Sequence, residues 1–530
     1  MAPSPDEEPK PGTDTEPLAE VPERPPLPVG LRDELTVAFS RGEMELDFRA
    51  SFLASEAQLY TALYEGLYSY DPRSMAPVRA LASRAELSED KKQWTFTIRQ
   101  GAKYQNGDPV RAGDFRASWL SLLEPARESP YSSLFDIIEG AEAYRLGKDT
   151  DPDKVGIRAV DDRTLAVRLN SPAAFFPSML CHHSFSPIHP SMLKVADWSK
   201  QFPVSNGPFY IEGIDEDKMV LVKNQQYWDA SHVALKKVTI RFANAEEASA
   251  LWNSGESQWI SGDVELDNII NRDGILINPM FATHYYFIRS ALSPWNDYRV
   301  RRALSLALPW EEIRDGLYIP AKTLIFSIPG YPEVEGIERS NDEEARRLLV
   351  EAGYPGGRGI PELVIRLTPS PDAARIGELM AVAWKEKLGI PIRIDIVSYA
   401  GYFQSLKRSD YVVGSTTWIG DFADPYTFLQ MWRRNSNLND ARFDDQDYEN
   451  LLEESMTAEG EKRMEILGKA EKLLLDRGAV LPISFSPALN VISISEIDGW
   501  YPNVLDIHPF KYIGFKALRP LPNVARIEWR

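Results

Sequence analysis

The chain has 530 residues, of which 43% are hydrophobic and 26% charged, as is ordinary for a soluble globular protein with several domains. Its formal net charge of −19 argues against a nucleic-acid ligand, because phosphates demand basic patches. No run of about 18 apolar residues is present, so no segment is expected to span a membrane. The single cysteine, Cys181, excludes an intramolecular disulfide and a CxxC motif.

Residues 1–30 are expected to form a disordered, acidic tether. Residues 1–28 contain nine prolines and seven acidic residues but no aromatic residue. Such a segment cannot bury enough apolar area to offset the entropy of ordering it. It lacks the apolar region of a signal peptide. If the protein is exported, we expect that a signal, with a lipid-bearing cysteine, has been removed ahead of Met1. The alternative is a cytoplasmic protein with a disordered leader.

The rest of the chain alternates between segments with the period of a strand and segments with the period of a helix. Strands are predicted at 34–39, 92–100, 161–169, 237–242, 284–289, 363–367, 390–397, 412–417 and 481–486. Helices are predicted at 56–67, 135–146, 246–252, 294–308, 340–353, 371–388, 399–408, 443–454 and 459–477. The β-α-β alternation across residues 363–397 predicts a parallel or mixed sheet in the second half of the chain.

A transition from strand to loop at residues 412–429 (VVGSTTWIGDFADPYTFL) is the strongest candidate for a ligand site. Its β-branched start predicts a buried strand, and Gly420 and Asp424-Pro425 interrupt it, because proline removes a hydrogen-bond donor. Trp418 and Asp421 therefore lie where a strand ends, the edge at which open α/β sheets meet ligands. A carboxylate there can receive a cationic group, and an indole can stack on the rest of the ligand. The alternative is that Trp418 only packs the core and that Asp-Pro only makes a turn.

Two of the six histidines are neighbours, His182 and His183, and form the one metal-site candidate in the sequence. Neighbouring residues in a strand point to opposite faces of the sheet. A strand would therefore separate the two rings, so we expect no metal site and no cofactor.

Several segments carry motifs that occur together in one family. They are Glu65-Gly66-Leu67 at the end of a helix, GAKYQNGDPVRAGDFRASW at 101–119, NGPF at 206–209, LVKNQQYWD at 221–229 and PWNDYRVRRALSLAL at 294–308. In this order the motifs resemble those of the solute-binding proteins of peptide/nickel-type ABC importers, the oligopeptide-binding group. The resemblance runs from about residue 34 to residue 515.

The resemblance implies an α/β protein with the two-lobed periplasmic-binding-protein fold, type II-like, with mixed sheets flanked by helices. An extra domain is expected to be inserted in the first lobe. Residues 31–61, 186–290 and 498–530 are expected to form the discontinuous domain of lobe 1, residues 62–185 the inserted domain, and residues 291–497 lobe 2.

The resemblance also implies that a ligand is enclosed between the lobes and indicates which residues reach it. Asp421, counted along the pattern WxxDxxxP, is expected to pair with the amino terminus of a peptide, with Trp418 beside it. The other expected ligand contacts are Glu43 and Met44, Tyr131 in an SPY sequence, Trp259 and Asp263 at a strand end, Tyr285, Tyr399 and Phe403 on a helix, and Phe485 on the last long strand.

The carboxyl end of such a peptide has no clear partner in the sequence. Peptide binders of this family often place an arginine on the strand before the tryptophan, but residues 414–417 read GSTT. Lys407 or Arg408 could substitute. The tyrosine that several family members carry on the last strand is also replaced, by Ser484 and Ser486. The ligand therefore lacks a fixed carboxylate, varies in length, or is not a peptide but a nickel chelate, haem or sugar.

Two other classes of function compete with a transport receptor. An enzyme could use Asp421 and Asp424 as a glycosidase pair, but no GxSxG, HExxH, P-loop or GxGxxG pattern supports catalysis. A surface lipoprotein with an adhesive role is the other class. We expect a non-catalytic, monomeric receptor that takes an oligopeptide or similar small ligand to the membrane permease of an ABC importer. It is expected to be periplasmic or tethered by a lipid anchor, and not to bind nucleic acid.

Overall fold

The computed structural model describes residues 32–42, 44–51, 53–317 and 319–516. The expected tether at residues 1–30 and the predicted ligand contact Glu43 lie outside the described residues. Within that part of the chain, no helix combines the length and the apolar character needed to cross a membrane.

The strands and helices have the following bounds. The strands are β1 (Glu34–Ser40), β2 (Tyr68–Tyr70), β3 (Pro77–Arg79), β4 (Ala82–Leu87), β5 (Gln93–Ile98), β6 (Ile157–Ala159), β7 (Thr164–Arg168), β8 (Phe209–Ile214), β9 (Lys218–Lys223), β10 (Lys237–Ala243), β11 (Trp259–Ser261), β12 (Ile275–Ile288), β13 (Leu363–Leu367), β14 (Ile392–Ile396), β15 (Val413–Ile419), β16 (Val480–Ile492), β17 (Ile497–Asp498) and β18 (Gly514–Phe515). The helices are α1 (Ala54–Leu63), α2 (Ala112–Leu123), α3 (Ala141–Arg145), α4 (Phe176–Met179), α5 (Ala245–Asn253), α6 (Tyr298–Leu306), α7 (Trp310–Arg314), α8 (Asp342–Glu351), α9 (Pro371–Leu388), α10 (Tyr399–Ser405), α11 (Tyr426–Leu429), α12 (Gln446–Thr457) and α13 (Gly460–Asp476).

One ten-stranded sheet runs through both lobes in the order β14-β13-β15-β12-β16-β11-β1-β10-β9-β8. The five strands from β11 to β8 belong to the first lobe, and β14, β13 and β15 belong to the second. The two longest strands, β12 and β16, pair antiparallel in the middle of the sheet and pass from one lobe to the other. They therefore connect the two lobes.

The ladder between β12 and β16 is interrupted where these strands cross between the lobes. Pro279 stands opposite Pro487, and the register shifts before Thr283 pairs with Phe485. Since proline has no N–H to donate, neither strand can donate a hydrogen bond to the other at this pair. The crossing is therefore a weakly bonded joint.

The inserted domain is built on a separate four-stranded sheet in the order β4-β5-β7-β6. The strand predicted at residues 92–100 is confirmed as β5, which is followed by a turn with Gly107 at φ 91° and by α2. The single helix expected at 135–146 is wrong. A 3-10 turn over Ser132–Ile137 and α3 replace it, because Gly140 between them has φ 74°.

The second lobe contains the expected β-α-β unit. β13 pairs in parallel with both β14 and β15. The connecting helix α9 begins at Ser370, whose side chain accepts from the Ala373 N–H at 3.1 Å, and ends at Gly389 with φ 71°. The buried Trp384 of α9 donates to the Leu304 carbonyl at 2.8 Å, which ties α9 to α6. The pairing of β15 with β13 and β12 fixes the position of this strand, whose end carries the candidate site.

Candidate ligand-binding site

A cavity of about 1140 Å³ lies between the two lobes. This volume exceeds the roughly 300–1,000 Å³ of pockets for drug-sized ligands, so a longer molecule can be enclosed. The inserted domain and first lobe contribute residues from the segments 124–132, 182–183 and 261–263; the second lobe contributes residues from 403–407, 416–421 and 437–442; and the crossing strands contribute Met280, Tyr285, Phe287 and residues 487–489.

Asp421 is held at the cavity wall by the turn that ends β15. Gly420 precedes it, and a Cβ atom there would lie 2.5 Å from the Phe281 ring, so a larger residue at this position would displace that ring. The Asp421 N–H donates to Thr427 Oγ1 at 2.9 Å, and the Thr427 hydroxyl donates to Asp421 Oδ2 at 3.0 Å. The Tyr70 hydroxyl donates to the Asp421 carbonyl oxygen at 2.8 Å. Backbone and carboxylate are therefore both oriented before any ligand arrives.

The Asp421 carboxylate is buried and has no charged basic partner among the described residues. Its side chain is 4% exposed, and burial raises the pKa of this carboxyl to about 7. His182 approaches it, with Nε2 3.8 Å from Oδ1, but burial lowers the pKa of His182 to about 3. The imidazole is therefore neutral near pH 7 and gives no counter-charge. A cation brought by a ligand would find a buried, oriented carboxylate.

The second acid of the motif, Asp424, is in a different environment. Its two carboxylate oxygens accept from Arg463 Nη1 and Nη2 at 2.7 and 2.9 Å. The same guanidinium lies 4.4 Å from the centre of the Phe175 ring. Asp424 is thus a structural partner of Arg463, and the glycosidase alternative loses its second acid.

Aromatic rings surround the Asp421 carboxylate. The Tyr131 ring centre lies 4.6 Å from that of His182, 5.6 Å from that of His183 and 6.4 Å from that of Trp418. Trp418 Nε1 is buried and has no hydrogen-bond acceptor in the described part of the chain. The wall therefore offers ring faces for stacking and one indole N–H that can donate a hydrogen bond to a ligand oxygen.

The expectation that His182 and His183 face opposite sides of a strand is wrong. His182 precedes a 3-10 turn over His183–Phe185, and the two ring centres are 3.9 Å apart at the cavity wall. The Ser184 N–H donates to His182 Nδ1 at 3.4 Å, which assigns the proton to Nε2, on the side of Asp421. No group of three or more His, Cys, Asp or Glu that could hold a metal occurs among the residues described.

Comparison with known proteins identifies the family. Residues 76–440 match the family described as "Bacterial extracellular solute-binding proteins, family 5 Middle". The oligopeptide-binding protein OppA of Bacillus subtilis (strain 168) is 32% identical over 437 residues, which cover 77% of this chain and 79% of that relative. This chain belongs to family 5 of the bacterial extracellular solute-binding proteins.

Solved structures of similar proteins confirm the two-lobed fold of this family 5 chain. The Escherichia coli murein tripeptide binding protein MppA superposes with a TM-score of 0.79 at 26% identity, covering 92% of this chain and 99% of that one. A periplasmic oligopeptide-binding protein of Borrelia burgdorferi, OppAIV, superposes with a TM-score of 0.78 at 25% identity, covering 92% of this chain and 100% of that one.

Six residues that were predicted to contact the ligand line the cavity of the family 5 protein: Asp421, Trp418, Tyr131, Asp263, Tyr285 and Phe403. The Asp263 N–H donates to Ser40 Oγ at 2.8 Å, which orients the loop after β11. The Tyr285 ring lies 5.8 Å from that of Trp432, another lining residue. Their contact with a ligand stays a prediction.

Four other predicted residues lie away from the cavity. Trp259, at the start of β11, is fully buried and donates to Asn490 Oδ1 at 2.8 Å, because only the end of β11 reaches the cavity. Phe485 packs on Phe326, with ring centres 5.1 Å apart. Met44 packs against the core of the first lobe, and Tyr399 is 61% exposed on the surface. We leave these four out of the proposed site.

The two basic residues suggested for the carboxyl end of a ligand are already paired. Lys407 lines the cavity, but its ammonium lies 2.8 Å from Asp440 Oδ1 and donates to the Asn437 carbonyl at 3.0 Å. Arg408 does not line the cavity, and its guanidinium lies 2.9 Å from Asp410 Oδ2. Neither offers a free positive charge to a carboxylate in this cavity.

Proposed function

We propose that this family 5 protein is the substrate-binding receptor of an ABC importer and captures short peptides between its lobes. The amino terminus of the peptide pairs with Asp421. The observation that carries the proposal is the buried Asp421 carboxylate, which lines the cavity between the lobes and has no charged partner among the described residues. The names of relatives support it, since the B. subtilis relative is an oligopeptide-binding protein and the E. coli one a murein peptide-binding protein.

The chemistry of binding follows from the surroundings of Asp421. An ammonium group beside the carboxylate favours the ionised form and lowers the raised pKa. A buried ion pair stabilises a complex only when further hydrogen bonds satisfy the remaining donors and acceptors of the two charged groups. Thr427 Oγ1 supplies one such bond, and His182 Nε2–H lies close enough to supply a second after a small shift. The peptide main chain is held by strand-like hydrogen bonds, which do not depend on the identity of the peptide's side chains.

The proposal has consequences for partners and location. The protein acts without catalysis and without a cofactor, which its membership of a solute-binding family supports. It works as a monomer that delivers its cargo to a membrane permease. It does so outside the cytoplasm, in the periplasm or held at the membrane by a lipid anchor.

Native mass spectrometry of the purified protein tests the proposal. We expect wild-type protein to carry an added mass that is released on unfolding and that fragments as a short peptide. Asp421→Asn is expected to carry much less cargo, because the amide cannot neutralise the ammonium. Asp267→Asn, which removes a fully exposed acid, is the matched control and should be loaded like wild type. Cargo that is not peptide, or equal loading of Asp421→Asn and wild type, would contradict the proposal.

A further inference from the structure

Arg442 is a cavity-lining cation whose charge is not neutralised within the described structure. Of the other basic side chains on the wall, Arg145 forms a two-pronged ion pair with Asp136, and Lys407 is paired with Asp440. The exposed guanidinium of Arg442 has neither an acidic partner nor a hydrogen-bond acceptor among the residues described. It therefore remains available to a ligand.

The backbone at Arg442 is held in a conformation that arginine rarely adopts. Its φ is 52°, in the left-handed region that favours glycine. The buried Asn439 fixes this turn, because its carbonyl accepts from the Arg442 N–H at 3.1 Å. Its side chain accepts from the Phe443 N–H at 2.9 Å and donates to the Phe443 carbonyl at 2.8 Å. Unfavourable backbone conformations of this kind concentrate at ligand sites, where the side chain placed by the turn is needed.

Acidic side chains occupy much of the facing wall. Glu124, Glu128, Asp263 and Asp506 line the cavity from the inserted domain and first lobe. A ligand carboxylate is repelled by these groups and by the net charge of −19. It is attracted to Arg442, whose planar guanidinium can hold a carboxylate by two parallel hydrogen bonds.

We propose that Arg442 binds a carboxylate of the enclosed peptide, either its carboxyl terminus or an acidic side chain. The site thereby selects peptides with an ammonium group near Asp421 and a carboxylate in reach of Arg442. This inference rests on the proposed function. It adds a partner for the ligand carboxylate, because residues 414–417 of β15 include no arginine that could bind it.

Calorimetry with alanine peptides of increasing length tests the inference. Each peptide is used with a free carboxyl terminus and with a terminal amide. A second pair of amidated peptides carries either glutamate or glutamine at one position. We expect removal of the recognised carboxylate to weaken binding to wild type about tenfold, and to have little effect in Arg442→Gln. Loss on amidation identifies the carboxyl terminus as the source, and loss on exchange of glutamate for glutamine identifies a side chain.

Three further variants separate recognition from folding and from general charge. Arg408→Gln removes the same charge outside the cavity and is expected to behave like wild type. Arg442→Lys keeps the charge without the two-pronged geometry and is expected to lie between wild type and Arg442→Gln. Arg442→Gly relieves the left-handed backbone, so its melting temperature should not fall although discrimination between acid and amide is lost.

The inference is overturned if removal of every carboxylate, terminal or side-chain, affects wild type and Arg442→Gln equally while acetylation of the amino terminus still abolishes binding. That result would leave the proposed function standing. If none of the peptides binds the wild-type protein, the proposed function fails and this inference fails with it.

Discussion

The carboxylate of Asp421 is ionised only in part near neutral pH, because burial raises its pKa to about 7. In the unfolded chain the same group has a pKa of about 3.9. The folded, peptide-free protein therefore binds a proton that the unfolded chain has released. Its stability falls as pH rises through this window, and the loss is complete above the folded pKa. The cost, on the order of 4 kcal/mol at full ionisation, is removed when a ligand ammonium neutralises the charge.

This linkage gives a prediction for Asp421→Asn in the peptide-free state. The variant should melt at a higher temperature than wild type at about pH 8, and the difference should shrink toward about pH 4, where both proteins are uncharged at this position. Differential scanning calorimetry across the range measures it, with Asp267→Asn as the exposed control. A difference that stays constant with pH would show that burial does not raise the pKa of Asp421 in the folded protein.

At the scale of single residues, the family's WxxDxxxP pattern favoured Asp421 over Asp424 as the ligand acid, and the structure pairs Asp424 with Arg463. The partners of these acids could not be predicted, because Arg463 and His182 are distant in sequence and are brought close only by the fold. The pair His182–His183 was visible in the sequence, but its geometry depends on whether a strand or a turn surrounds it. Periodicity over so short a segment does not decide this.

At the scale of elements, the site depends on how β15 ends. The strand and the break after it follow from the sequence, since β-branched residues favour strands and Gly420 and Pro425 end them. Helices and strands with clear periodicity were predictable in the same way. The loop at residues 437–442 was not, because its shape is set by Asn439 hydrogen bonds and not by any repeating pattern.

The turn at the end of β15 can be tested with a pair of glycine substitutions. Gly420→Ala forces a methyl group against the buried Phe281 ring, which lies 2.5 Å away, and also approaches Thr427, the partner of Asp421. Such overpacking costs about 1–3 kcal/mol. We therefore expect a lower melting temperature and weaker peptide binding. Gly213→Ala, in β8, has open space around the new methyl group and is the control. Wild-type affinity in Gly420→Ala would show that this turn does not position the binding carboxylate.

At the scale of the whole molecule, the lobes are connected at several places around the cavity. One is the joint of β12 and β16 at Pro279 and Pro487. Others are contacts between the inserted domain and the second lobe. The side chain of Asn437 donates to the carbonyls of Ser129 and Pro130 at 2.9 and 2.7 Å, and the Phe175 ring packs on that of Phe422 with ring centres 6.2 Å apart. A hinge motion that opens the cavity would bend this weakly bonded joint and separate the contacts between the inserted domain and the second lobe.

The domain division expected from the sequence remains a proposal within this picture. Residues 31–61, 186–290 and 498–530 are assigned to the first lobe, 62–185 to the inserted domain and 291–497 to the second lobe. β12 and β16 are shared by both lobes. The boundaries at 290 and 497 therefore mark where the chain has passed from one lobe to the other, and not the edge of a rigid lobe.

The central claim is that the molecule closes on a peptide whose amino terminus pairs with Asp421. The most direct measurement is the calorimetric affinity of an alanine peptide and its N-acetylated form for wild type and for Asp421→Asn. Acetylation should weaken binding to wild type by about 30-fold or more, as expected for loss of one partner of a buried charge pair, and should change little in the variant. An equal effect of acetylation in both proteins, or none in either, would contradict the claim.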